Sequence, residues 1–428
     1  MQKSRAWAAT ERGRMSGAKE RLQREKSGPY AGTVTVKPYP KRRLWVPYAV
    51  ASLLFRLRGV RCHAVSRVEQ MELPCVVLCT HGAFADFFYA GTLLRSYCPH
   101  FPVARLYFYH RAFGKLLKHH GCYPKSMFAL DRESVQNSIR VLKNGGMLAM
   151  MPEARLSTAG EFEDIQPGTV AFLKKMGVPV YRIRLSGDYL CKPKWGKGMR
   201  RGAVVEAELD LLFTKEQMQE CSVDELERRA TEALYYNEWE WLKAHPKVRY
   251  RHRRLAEGLE NILTRCPTCG ARYSLATKGH SIRCTACGLT VTMDDRYVFS
   301  DAPFSDLGAW YRWQTEQMQT EIRSDESYRL ESRVVLKHAS QDGRTMLRVA
   351  GEGTCVLDRK GLTYVGTEDG QTVTKLFPIK TLYRILFGAG EDFEIYEGKE
   401  IFYFVPEERR SCVDWYIASR ILKDESEK

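Results

Sequence analysis

Long apolar runs are missing from this 428-residue chain. Its most apolar window, Leu44 to Phe55, is about 12 residues long, whereas a bilayer-spanning helix takes roughly 20. No transmembrane span is therefore expected. No apolar core follows the N-terminal charges within the first 30 residues, so no secretory signal is expected either. Cysteine is too sparse for a disulfide scaffold. There are 13, an odd number, and most lie singly in varied contexts, which suits a reducing compartment. Negative charge is in deficit, with 51 Asp and Glu against 67 Lys and Arg, a net of +16. A balance this basic points to an anionic partner: nucleic acid, a membrane surface, a phosphorylated metabolite or an acidic carrier protein. The rest of the composition is ordinary. At 44% hydrophobic and 28% charged, it excludes wholesale disorder and a fibrous rod. At roughly 150 residues per domain, the length suggests two to four domains.

The basic excess is uneven. Residues 1–43 hold 12 Lys and Arg against 3 Asp and Glu. They alternate basic and small residues without an apolar period, and read as a basic N-terminal arm. The apolar window that follows has Trp45 and Tyr48 at its start, Lys41 to Arg43 before it, and Arg56 and Arg58 after it. A short apolar helix with interfacial aromatics and basic flanks is what an in-plane membrane helix uses. A buried N-terminal core helix is the plainer alternative.

From Pro74 the chain reads as a buried strand, P-C-V-V-L-C-T, followed by H-G-A-F-A-D and an apolar helical stretch. This places His81 and Asp86 five positions apart on a strand-to-helix turn. A carboxylate can hold one imidazole nitrogen and leave the other free to take a proton from a hydroxyl. Further on come A-L-D-R-E-S with Asp131 and Arg132, M-P-E-A-R-L-S with Glu153 and Arg155, and G-V-P-V-Y-R-I-R-L around Pro179. Arginine offers a planar fork of donors suited to phosphate, and two of them after two strands could converge on one anion. Asp131 reads as structural.

These four blocks, in this order over about residues 40–250, resemble the glycerophospholipid acyltransferase family, the 1-acyl-glycerol-3-phosphate acyltransferases and their relatives. The resemblance implies an α/β domain with a mixed sheet flanked by helices. It implies His81 and Asp86 as the catalytic dyad, with Arg132 binding the acceptor phosphate and Glu153 on the acceptor side. The chain departs from the family pattern where E-G-T-R-S is expected. Ala154 replaces the glycine, Arg155 comes one position early, and Leu156 stands where the arginine belongs. Thr80 replaces an asparagine, and Lys125 to Phe128 look inserted. These changes bear on the acceptor more than on the reaction.

Beyond residue 214 the chain becomes helical and acidic, with Ser222 and Glu225 spaced as a capping box. A basic run from Lys247 to Arg254 and a helical L-A-E-G-L-E-N-I-L follow. Then C-P-T-C-G and C-T-A-C-G present Cys266, Cys269, Cys284 and Cys287. Four thiolates in two C-x2-C pairs can enclose one tetrahedral zinc with no open position, so the metal would be structural. A three-stranded ribbon is expected around it. The final stretch has six or seven short strand-like runs, separated by turn signals and closed by an amphipathic helix from Arg410 to Leu422. This element order resembles the pleckstrin-homology-like superfold.

The organisation expected is thus a basic arm (1–43), an acyltransferase domain with a membrane-associating helix (44–250), a helix and four-cysteine zinc ribbon (251–300), a linker helix (301–329) and a β-rich pleckstrin-homology-like domain (330–428). Two functions fit it. One is a peripheral membrane acyltransferase, cytoplasmic and on the inner face of the cell membrane. It would move an acyl group from acyl-CoA or acyl carrier protein to a lysophospholipid. The other is a zinc-ribbon module binding nucleic acid or protein on a degenerate acyltransferase scaffold. No aromatic-plus-basic single-strand-binding run or recognition-helix signature is present, so nucleic acid is the less expected partner.

Overall fold

The structure, a computed structural model, describes residues 41–427 apart from 129, 130, 383 and 399, with side chains from Val46 onward. The basic arm up to residue 40 and the Trp45 side chain lie outside the described residues.

Helix Lys41–Leu57 leads into β1 (Arg61–Arg67), β2 (Cys75–Cys79), β3 (Pro102–Ala104), β4 (Tyr123–Lys125), β5 (Met147–Met150), β6 (Val180–Ser186) and β7 (Val204–Phe213). Five of these form a mixed sheet in the order β1-β7-β6-β2-β5. Only the β6–β7 pair is antiparallel. β3 and β4 pair separately. β2 explains its own composition. Cys75, Val77 and Cys79 pack into the core on one side of the sheet, and Val76 and Leu78 into that on the other. Both faces are dry, so the strand is continuously apolar. β6 and β7 instead alternate. Arg182 pairs with Glu208 and Asp210, each at 3.1 Å, across the antiparallel register.

The acidic stretch after β7 forms three helices, Lys215–Glu220, Val223–Leu234 and Glu238–Ala244. Ser222 caps the second, accepting the Glu225 N–H at 3.2 Å. The complete reciprocal capping box lies one helix earlier, between Thr214 and Gln217. The helix expected over 255–263 does not form. Only a single 3-10 turn, Leu259–Asn261, is present. Gly258 explains this: its φ is +102°, and a Cβ there would lie 2.1 Å from the Trp195 carbonyl oxygen. The chain leaves helical geometry to dock against the first domain.

The cysteine-bearing ribbon has four strands rather than three: β8 (Leu275–Lys278), β9 (Ser281–Cys284), β10 (Thr290–Met293) and the two-residue β11 (Phe299–Ser300), all antiparallel. Helix Leu307–Ser324 connects it to the last domain. There β12 (Leu330–Ala339), β13 (Leu347–Asp358), β14 (Gly361–Glu368), β15 (Gln371–Pro378), β16 (Leu386–Gly388), β17 (Asp392–Glu397) and β18 (Glu400–Pro406) form one antiparallel sheet. Its order is β15-β14-β13-β12-β18-β17-β16.

The closing helix is Cys412–Ser426, and it is not amphipathic, because residues 412–419 are all buried. It is covered from several sides. Trp415 stacks on Phe393 of β17 at 4.5 Å. Asp414 accepts from Thr264 Oγ1 at 2.7 Å and from the Tyr273 hydroxyl at 2.8 Å, both beside the ribbon. Over those eight residues the helix is buried on all sides and presents no solvent-facing polar face.

Candidate active site

β2 is followed by Thr80, whose Oγ1 accepts the Leu185 N–H at 2.9 Å and ties this end of β2 to β6. The chain then turns through residues 81–85 into helix Asp86–Leu94. This turn brings the two dyad residues together. Asp86 is fully buried, and its Oδ2 accepts the Ala83 N–H at 2.8 Å. The same oxygen lies 3.3 Å from His81 Nδ1. With Nδ1–H directed at Asp86, Nε2 is the basic nitrogen. Burial, with the Lys194 charge adding to it, pulls the imidazole down to about 4. This favours the neutral ring at physiological pH, the form a general base would need.

The M-P-E-A-R-L-S segment does something its composition does not announce: it clamps the backbone of His81. Glu153 is fully buried. Its Oε1 accepts the His81 N–H at 2.8 Å, and its Oε2 accepts the Glu163 N–H at 3.0 Å. From the other side, Ser157 N–H donates to the His81 carbonyl at 3.0 Å. Burial raises the Glu153 carboxyl to about 8 in spite of these backbone bonds. Glu153 was expected on the acceptor side. Here its oxygens meet backbone amides and the Tyr236 hydroxyl. Ala154, where the family pattern has glycine, sits in the left-handed region at φ +56°, a conformation that strains a residue bearing a Cβ.

The two candidate phosphate-binding arginines occupy different surroundings. Arg132 is exposed on the first turn of helix Arg132–Lys143. Arg155 is buried, ion-paired with Glu163, and lies 4.9 Å from the Tyr416 ring centroid. Asp131 caps the Arg132 helix, accepting from Ser134 N–H at 3.0 Å and Ser126 N–H at 2.7 Å. Buried Arg105, which carries no motif, braces that cap at 3.2 Å.

The last domain closes over this region. The Tyr416 hydroxyl donates to Glu163 at 2.6 Å, Arg384 bonds Asp164 at 3.0 Å, and Lys194 lies 3.6 Å from the Phe387 ring centroid. Burial lowers Lys194 to about 8 in spite of the acidic groups around it.

The comparisons with known proteins bear on residues 59–186, which match the family model described as Acyltransferase. This segment is an acyltransferase-family domain. No curated protein matches the chain. Among solved structures, the 1-acyl-sn-glycerophosphate (LPA) acyltransferase PlsC from Thermotoga maritima is similar at 17% identity and a TM-score of 0.33, over 45% of this chain and 79% of that one. The dyad, the Glu153 clamp and Arg155 all fall inside the acyltransferase domain. Asp188 and Lys194, just beyond the matched segment, belong to no motif.

The imidazole predicts an acid limit. If His81 is the base, kcat/KM for acyl transfer should hold as the pH falls from neutrality. Protonation of the ring itself should not limit it until the pH nears about 4. A pH profile that breaks near 6.5, the ordinary imidazole value, would mean a ring as well hydrated as free histidine.

The four cysteines form a separate cluster in the ribbon. Cys266 and Cys287 sulfurs are 3.7 Å apart, Cys269 and Cys284 sulfurs 3.8 Å, and all four lie within 4.8 Å of one another. Tetrahedral metal–sulfur bonds of about 2.3 Å would set sulfurs about 3.8 Å apart, so the four residues fit one ion. Gly270 at φ +71° and Gly288 at φ +80° close each knuckle, donating their N–H groups to the Cys266 and Cys284 carbonyls at 3.0 Å. The four cysteines could hold a metal ion.

Proposed function

We propose that this protein is a peripheral membrane acyltransferase that moves a fatty acyl group from an acyl thioester, carried by CoA or acyl carrier protein, to a lysophospholipid such as 1-acyl-glycerol-3-phosphate. The observation that carries the reading is the His81–Asp86 contact, held on a clamped backbone inside an acyltransferase-family domain. In this reading Nε2 of His81 takes the proton of the acceptor hydroxyl. The hydroxyl oxygen attacks the thioester carbonyl carbon, the C–S bond breaks, and the thiolate recovers the proton from the imidazolium. Asp86 fixes the ring and stabilises its charged form. The bound metal is read as a structural zinc on Cys266, Cys269, Cys284 and Cys287. Residues 330–428 are read as pleckstrin-homology-like on their strand order and closing helix. The test is to incubate the protein with labelled acyl-CoA or acyl carrier protein and a panel of lysolipids, then separate the lipids. No labelled product on any acceptor would defeat the proposal.

The location proposed is the inner face of the cell membrane. No helix among the described residues is long and apolar enough to cross a bilayer. Helix Lys41–Leu57 divides its apolar residues, however. Tyr48 and Phe55 pack inward against Phe87, Phe88 and Tyr89. Val46, Val50, Leu53, Leu54 and Leu57, a stripe at helical spacing, are each more than half exposed. Exposed Arg56, Arg58 and Arg61 follow. This suits an in-plane helix, with apolar burial and cations near anionic headgroups worth about 1 kcal/mol each. A cleft of about 370 Å³ between this helix and helix Asp86–Leu94, lined by Leu53, Phe55, Val60, Tyr89 and Leu93, is a candidate place for the acyl chain. Flotation with anionic liposomes should weaken with salt, and a Leu53→Ser, Leu54→Ser protein should bind about tenfold or more less tightly. A protein that ignores anionic liposomes at low salt but binds nucleic acid tightly would sink the membrane reading.

A further inference from the structure

Beside the dyad lies a second carboxyl group that no motif marks. Asp188 opens the short helix Asp188–Cys191, two residues after β6 ends. β6 runs parallel to β2 as its neighbour, so both strands deliver their C-terminal ends to the same place. Gly187, at φ +81°, turns the chain there. Gly82 lets the two loops close, since a Cβ on it would lie 2.3 Å from Asp188 Oδ2. Asp188 is 1% exposed and Asp86 is fully buried, and their carboxyl groups face one another closely enough to share a hydrogen bond if one of them carries a proton.

A bond between two carboxyl groups needs a proton. Asp86 Oδ2 is taken by the Ala83 N–H and the His81 ring. Asp86 Oδ1 and both oxygens of Asp188 are buried with no donor elsewhere in bonding geometry. The Asp188 and Tyr189 amides lie close by as a weaker aid. The groups facing the pair are the carboxyls of Glu153 and Glu238, the thiols of Cys62, Cys79 and Cys191, and the hydroxyls of Tyr89, Tyr236 and Tyr250. Glu238 is held in turn by the Gly187 N–H at 2.8 Å. The cation bearing on the dyad, Lys194, acts on His81. Burial pushes both acids above the usual carboxylate range. Asp86 has donors on Oδ2 that stabilise its charge, whereas neither oxygen of Asp188 has one, so a shared proton is better placed on Asp188.

We propose that Asp188 is a positioning residue of the dyad: in its protonated form it donates to Asp86 Oδ1, so that Asp86 turns Oδ2 and its charge toward His81. The effect on rate rests on the acyltransferase reading above, whereas the bond itself does not. Asp188 touches neither substrate nor reacting atoms. It acts by fixing the rotamer and the ionised state of the residue that orients the base.

The test uses full-length Asp188→Asn and Asp188→Ala proteins, with palmitoyl-CoA and 1-oleoyl-glycerol-3-phosphate as probes. Asparagine keeps a donor of the same reach. Its kcat should stay within about threefold of the parent, with the acid limb unmoved. Alanine leaves a buried acceptor without its donor. Its kcat should fall about tenfold to a hundredfold with little change in KM for palmitoyl-CoA. Its acid limb should move to higher pH, because Asp86 without that bond takes up a proton more readily. Infrared difference spectra at neutral pH provide a readout without activity: Asp188→Asn should lose a protonated-carboxyl C=O band. The proposal is overturned if asparagine is as damaging as alanine, if alanine matches the parent in kcat and acid limb, or if the band lost is that of an ionised carboxylate. Should the alanine protein fail to fold, the asparagine kinetics and the spectra still decide. If the parent transfers no acyl group to any lysolipid, the acyltransferase reading falls while the infrared result still settles the bond.

Discussion

A His81→Ala protein should fold and transfer acyl groups about 10²–10⁴-fold more slowly than its parent, the usual loss on removing a general base. The structure explains why the fold should survive. The bonds that hold this turn use the His81 backbone, whose N–H reaches Glu153 and whose carbonyl accepts from Ser157. Both persist when the ring is removed. Asp86 keeps the Ala83 N–H at 2.8 Å, and the ring borders solvent, one-fifth exposed, so water can enter the polar space it leaves. Circular dichroism and gel filtration would check the fold, and labelled acyl transfer the rate. A folded His81→Ala protein with the parent's rate would rule this mechanism out.

Replacing Cys266 with serine should release the metal and loosen a large part of the molecule. Structural zinc binding is folding free energy, about 10–16 kcal/mol in small zinc-finger peptides, and a serine hydroxyl is a poor substitute for thiolate. Cys266 is buried, and its neighbours carry the contacts that join three parts of the chain. The Arg265 carbonyl accepts from Trp310 Nε1 at 3.1 Å, and Thr264 Oγ1 donates to Asp414 of the closing helix at 2.7 Å. Elemental analysis should find one zinc per parent chain and far less in Cys266→Ser. Limited proteolysis should then cut the variant within residues 264–300 first. A parent protein purified under reducing conditions without chelator, yet carrying no metal, would defeat the zinc assignment.

What sequence reading reached and what it missed divide along one physical line. His81 with Asp86, and Cys266 with Cys269, Cys284 and Cys287, are groupings in which a turn brings near neighbours together. Spacing along the chain therefore carries their geometry. The apolar β2, the Ser222 cap and the glycines that close the two knuckles are local in the same sense. The helix expected over 255–263 is a local reading that failed, because the Gly258 backbone is drawn out of helical geometry where it meets Trp195. The closing helix reads as amphipathic in the sequence because periodicity assumes one covered face, whereas the sheet, the linker helix and the ribbon side cover several.

Composition and spacing were enough to pair His81 with Asp86, to group the four cysteines, and to mark the short apolar helix with cations beside it and the β-rich end of the chain. Tertiary structure alone decided what surrounds the base. Glu153 reaches the His81 amide because the segment after β5 folds back beneath the turn. Asp188 reaches Asp86 because β2 and β6 lie side by side and end together. Arg155 is drawn into an ion pair with Glu163 under Tyr416 because the last domain docks over the loop. These partners are far apart in sequence, and burial in a shared low-dielectric interior is what turns their proximity into shifted proton affinities.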